Sequence, residues 1–434
     1  MLLKYISIPE LNFSESWDRG LKKIKNLNNF DKYMTIFWFL GPIIYLIERS
    51  PADLWLSLIG IIFLFRCLLK RDWSWTSQKW FRLALGLWIF GLFSAILSVD
   101  PYFSLSQGLV WIRFPLYAAA AQVWLAKDRD TRVMMLIFLL FGALIMSLIL
   151  ITETLHDPKP RLTWPYGDLI PGSYISKTSL PIICVLVAII SSQKKISPII
   201  TLILSITFLA TLLTGERMSL ILLTGGLLTS ALFFKPQLKK IFLIILSIFI
   251  IFLSTIFFKP QLFDRFTNHF FKSIPIFNTT NNVDTIPNPY WGAWRGGIEQ
   301  GLLTPIKGIG PSSTRKTCKD LKNDFSRWLP GKNFCSNHPH NFYIQIFAET
   351  GLVGLVIGIL MFLSIIITCY KARYENLNCP MAATSFIMPF LLFFPLQQFG
   401  SFYGQWGNLF IWFAIGFSIS QYQGWRSANK SFEK

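Results

Sequence analysis

About twelve stretches of roughly twenty apolar residues govern what this 434-residue chain can fold into. They lie near 33–48, 54–70, 80–99, 105–126, 132–153, 173–192, 196–214, 217–234, 238–258, 341–370, 381–399 and 402–422. A run of that length matches the hydrocarbon core of a bilayer, about 30 Å thick. There every backbone N–H and C=O must be satisfied within the segment, which selects helices. With 53% hydrophobic and 15% charged residues, the chain could not keep its apolar surface away from water in a soluble fold. The expected fold class is therefore all-α: a polytopic integral membrane protein of about 12 transmembrane helices with one large, partly helical outside loop.

The formal charge of +19 admits nucleic acid, anionic lipid or loop charges that set topology as its cause. Its distribution discriminates, because the cations sit in short runs between apolar segments and not along one face, so no nucleic-acid partner is expected. If the N-terminus is inside, the short inside loops hold Lys70, Arg71, Lys79, Arg82, Lys127, Arg129, Arg132, Lys194, Lys195, Lys235, Lys239, Lys240, Lys371 and Arg373. The short outside loops hold only Arg49, Lys159, Arg161, Lys177 and Arg217. Both termini are basic as well, so an even number of spans with both ends cytoplasmic follows. The first thirty residues are polar, and no cleavable signal peptide is expected.

These readings divide the chain into a cytoplasmic N-terminal segment (1–32), nine spans (33–258), a large outside loop (259–339), three spans (340–423) and a cytoplasmic tail (424–434). The large loop carries 11 Lys or Arg against 5 Asp or Glu, a net +6 (11 − 5). Connectors of this length are usually functional or structured. Residues 290–303 have few breakers apart from glycines and predict a small helical lid. Cys318 and Cys335 share this loop and form a candidate disulfide, whereas Cys67, Cys184 and Cys369 fall in or beside apolar runs as small buried hydrophobes.

Chemistry concentrates where the loop rejoins the membrane. His338-Pro339-His340-Asn341 places two of the chain's four histidines at the surface, and a histidine's ordinary pKa near 6.5 suits a base at neutral pH. Glu349, Gly351 and Gly354 follow inside the next span, where the glycines would let a neighbouring helix approach. Glu349 lies nine residues past His340, ~13 Å along a helix, too far to share a proton with it. A hydrolase-like carboxylate pair would have to come from Glu216, Asp284, Glu299 and Glu349, and none of these pairs convincingly. Arg113, mid-span in Trp111-Ile112-Arg113-Phe114, demands a buried partner or a polar cavity.

His340-Asn341, nine residues, then Gly351-Leu352-Val353-Gly354 resembles the signature of the O-antigen ligase and O-antigen polymerase superfamily. Trp294, Pro305 and Gly308-Ile309-Gly310 look like the family's upstream segment, and Thr214-Gly215-Glu216-Arg217 is similar to its Thr-x-x-Arg turn. One departure is that many members carry Arg four residues before the Trp, where this chain has Tyr290. Arg295 and Arg265 are then the alternatives for a second arginine.

The resemblance implies a transferase of the bacterial inner membrane, active at the periplasmic face, with most similarity to lipopolysaccharide O-antigen ligases. The donor would be a glycan on undecaprenyl pyrophosphate and the acceptor lipid A-core or another glycan. His340 would be the general base, while Arg217, with Arg295 or Arg265, would bind pyrophosphate through a planar fork of donors. His338 and Asn341 would orient His340. No cofactor or metal is expected, since the outer segments show no Asp and His cluster at ligand spacing, and the membrane lipids are the remaining partners. A polymerase of the same superfamily is the alternative. A lipid or polysaccharide transporter is the rival of another class, although it should concentrate its polar groups at mid-membrane.

Overall fold

The computed structural model describes residues 13–157, 159–193, 197–266, 289–317, 336–375, 379–397 and 400–425. Regular structure among them is helical throughout, with no strand. Helices α1 (Phe13–Lys25), α2 (Asn29–Phe39), α3 (Gly41–Ile47), α4 (Arg49–Lys70), α5 (Lys79–Ile96), α6 (Pro101–Trp111), α7 (Arg113–Ala120) and α8 (Arg129–His156) come first. Then come α9 (Pro171–Ser192), α10 (Pro198–Leu213), α11 (Arg217–Phe234), α12 (Leu238–Phe258) and α13 (Pro260–Phe266). The chain ends with α14 (Pro289–Leu303), α15 (Thr314–Thr317), α16 (Phe342–Glu375), α17 (Pro380–Thr384), α18 (Ile387–Leu392) and α19 (Gln405–Ser420).

Local chemistry starts and stops these helices. Asn28, Asp100 and Asp128 accept the backbone N–H of Asp31, Phe103 and Thr131, satisfying donors that a helix start leaves open. Prolines stand in the first turn of α6, α9, α10 and α17, where a missing N–H costs nothing.

Seven helices of the described residues are long and apolar enough to cross a bilayer, or eight if the pair α2 and α3, bent by 49°, counts as one. The remaining apolar runs are present but short or interrupted. The run 105–126 breaks into α6, α7 and a π-helical turn at Ala121–Leu125, and 381–399 is split into α17 and α18. Runs 196–214 and 402–422 form the 16-residue helices α10 and α19. The chain is thus an all-α, multi-pass membrane protein. Its most buried span is α9, wrapped by α8, α10, α11 and α19.

Arg113 finds the partner its position required: Asp53 on α4 pairs with it at 2.7 Å, and Ser57 adds a bond at 3.2 Å. This is a structural pair. The helix expected over 290–303 is present as α14, and it packs along α16 through its own glycines. A Cβ on Gly297 would meet Pro339 and Ile344, and one on Gly301 would meet Phe347. The close helix approach expected at Gly351 and Gly354 therefore occurs at Gly297 and Gly301 instead.

Gly351 does something else. At φ +66° it breaks α16, and the backbone of Ile306 and Lys307 fills the space beside it. Leu352 N–H donates to the Pro305 carbonyl at 2.7 Å, and Ile309 and Gly310 N–H donate to the Ala348 and Glu349 carbonyls at 3.0 and 2.8 Å. The loop from Pro305 to Gly310 is thereby spliced into the helix break. Gly308 and Gly310, at φ +71° and +97°, make the turn that permits it. Gly354 faces the side chain of Thr350 on its own helix.

Candidate active site

A cleft of about 210 Å³ opens where the α10–α11 turn, the start of α9, α13 and the segment before α16 converge. Arg217, Arg265, Tyr290 and His340 line it, so four of the expected residues meet. Arg161, Lys177 and Glu216 join them.

The turn Thr214-Gly215-Glu216-Arg217 is built tightly. Thr214 Oγ1 accepts from Glu216 N–H at 3.2 Å, and Gly215 takes φ +66° because the Pro160 carbonyl lies where a side chain would go. This geometry makes Arg217 the first residue of α11, at the positive end of the helix dipole. Arg265 Nε donates to the Gly215 carbonyl at 2.6 Å, so the second arginine is fastened to the turn that carries the first. Burial, then the neighbouring Arg161 and Arg217 cations, push Arg265 below its usual value.

His340 is held at φ +58°, a left-handed conformation that costs a non-glycine residue about 1–2 kcal/mol. Asn341 anchors the backbone at the next position. Its Oδ1 accepts from Tyr343 and Ile344 N–H at 3.0 and 3.2 Å, capping α16, while Nδ2 donates to the Pro395 carbonyl at 2.6 Å. Asn341 thus acts on the backbone of α16 and does not line the cleft. Tyr290 meets the His340 ring edge-on at 5.1 Å between centroids, and His338 lies 4.1 Å away on another side. Burial, then His340 and Arg315, push His338 down to about 3, so it is neutral near pH 7.

Other expected residues lie elsewhere. Arg295 is buried on α14 outside the cleft, and burial lowers its pKa. Trp294 packs at a tilt against Trp291 on the same helix, Gly351 belongs to the splice, and Gly354 faces Thr350. Cys318 and Cys335 lie outside the described residues. Glu349 is engaged away from the cleft, accepting from Ser312 N–H, Thr314 Oγ1 and Gln345 Nε2 at 2.8, 2.8 and 3.1 Å. Among the described residues no three His, Cys, Asp or Glu side chains group as a metal site.

A family model described as O-antigen ligase matches residues 200–359. The match supports the O-antigen ligase superfamily. Its members are membrane glycosyltransferase-like enzymes, ligases and polymerases. The matched span contains Arg217, Arg265, Tyr290 and His340, whereas Arg161 and Lys177 enter the cleft from outside it. No curated protein matches the chain.

Proposed function

We propose that the chain is an O-antigen ligase-type glycosyltransferase. It moves a glycan from undecaprenyl pyrophosphate to a hydroxyl of lipid A-core, at the periplasmic face of a bacterial inner membrane. The observation that carries this reading is the convergence of one histidine, His340, with Arg217 and Arg265 in a single cleft further lined by Arg161 and Lys177.

In the proposed step the acceptor hydroxyl oxygen attacks the anomeric carbon while His340 takes its proton. A new glycosidic C–O bond forms, and the C–O bond to the pyrophosphate breaks with both electrons leaving on the phosphate oxygen. Arg217 and Arg265 meet that developing charge, the term that dominates catalysis of this kind. Direct displacement inverts the anomeric centre. The energy is already stored in the glycosyl-pyrophosphate link, so the step calls for neither ATP nor a metal. Arg265 takes the part of the second arginine because Arg295 lies away from the cleft. His338 and Tyr290 fix the His340 ring by contact, and Asn341 fixes its backbone.

Loss of the gene in its host tests the acceptor. A ligase deletion leaves lipid A-core bare of O-chain on a gel, as this reading predicts. Core bearing a single repeat unit would assign the protein to the polymerases instead.

A further inference from the structure

Glu216 is the single acid among the described residues lining the cleft, where Arg161, Lys177, Arg217 and Arg265 supply four cations. Its carboxylate is fixed by neutral donors: Oε1 accepts from Gly172 N–H at 3.2 Å and Oε2 from Ser219 Oγ at 3.1 Å. A Cβ on Gly172 would collide with the carboxylate, so the glycine makes room for it at the start of α9. These bonds hold the group in place without cancelling its charge. Burial raises the Glu216 carboxyl, against the pull of Lys177 and Arg161.

An acid in a phosphate-binding cleft works against binding, which asks for a reason beyond capping. We infer that Glu216 trims the positive charge of the cleft so that the pyrophosphate product can leave, an inference that rests on the glycosyl-transfer reading above. The donor is a pyrophosphate diester with about two negative charges. Breaking the anomeric C–O bond leaves its electron pair on the terminal phosphate, which becomes a monoester with up to about one further charge. The cleft's cations therefore hold product more tightly than donor, and each unit of cleft charge widens the gap. With Glu216 ionised the cleft carries +3 (4 − 1), and without it +4. One unit of cleft charge acting on one ligand charge over about 10 Å at an effective dielectric near 20 changes an affinity by roughly tenfold, so about 100-fold for a donor with two charges and more for the product.

The test uses the purified full-length protein in detergent with glycan on undecaprenyl pyrophosphate as donor. Single-turnover transfer rate, multiple-turnover kcat, donor KM and the inhibition constant of undecaprenyl pyrophosphate are measured for wild type, Glu216→Gln, Glu216→Asp and Lys177→Met. Glu216→Gln should lower donor KM by about 100-fold. The product inhibition constant should fall further still, and kcat should drop with a burst of product. Glu216→Asp keeps the charge and should stay close to wild type. Lys177→Met shifts the balance the other way, to +2, and should raise the inhibition constant more than KM, which tests the inference even if Glu216→Gln does not fold. An unchanged inhibition constant in Glu216→Gln or Lys177→Met, a raised KM in Glu216→Gln, or Asp behaving as Gln would overturn the role. Absence of transfer by wild type would instead remove the glycosyl-transfer reading and this inference with it.

Discussion

The cleft at His340 and the splice at Gly351 lie on the same stretch of chain, and both rest on left-handed backbone: Gly215 and His340 in one, Gly308, Gly310 and Gly351 in the other. They use it for opposite ends. At the splice the polar groups mostly bond to one another, with Ser94 Oγ shared between the Lys307 and Glu349 carbonyls at 2.5 and 2.8 Å and Glu349 receiving three donors. At the cleft, four cations face a space of about 210 Å³. The signature thus mixes residues that line the cleft with residues that join the loop from Pro305 to Gly310 to the break in α16.

That division can be broken by substitution, and the largest effect on stability belongs to the splice. Gly351→Ala forces a side chain into the Ile306 backbone at φ +66° and should cost roughly 3 kcal/mol, combining left-handed strain with the clash. Thermal unfolding in detergent should show this loss, and an unfolding midpoint within 2 °C or so of wild type would refute the splice. At the cleft, Arg265→Ala should leave the midpoint in place while raising donor KM about 10- to 100-fold, as loss of a charged hydrogen-bonding group implies. Arg295→Ala should change KM less than about threefold, and equal effects from the two would return Arg295 to the pyrophosphate.

The smallest effect concerns acid. His338 is held neutral in the fold, with its pKa pushed down to about 3, while in the unfolded chain it titrates near 6.5. Between those values the unfolded state binds a proton that the folded state refuses. Stability from this site is therefore full above pH 6.5 and falls by up to about 1.4 kcal/mol per pH unit as pH drops. His338→Asn should flatten the fall of the midpoint between pH 7.5 and 5, and an identical slope in the variant would place His338 in a solvated setting.

Much of this was legible in the residues. Hydropathy marked the apolar runs, but the interruptions at Leu40, Ile112 and Phe386 depend on packing, such as Gly41 lying against the ring of Trp55, which no run length conveys. His340, Arg217, Arg265 and Tyr290 could be named because they stand in or near the motif. Arg161 and Lys177 come from remote segments, yet a signal existed: together with Arg217 they make up three of the five cations in the short loops read as outside, where cations are disfavoured. The glycines misled because Gly351-x-x-Gly354 has helix-packing spacing. Only the backbone shows that Gly351 breaks its helix and that Gly297 and Gly301 make the helix contact.

Transfer of a glycan from undecaprenyl pyrophosphate to lipid A-core by purified protein, without metal or ATP, most directly tests whether the cleft is the seat of chemistry. Wild type should transfer, while His340→Ala should lose about 100- to 10,000-fold in rate and Arg217→Ala at least tenfold, both with wild-type unfolding midpoints. Transfer that survives at wild-type rate in His340→Ala would contradict the account.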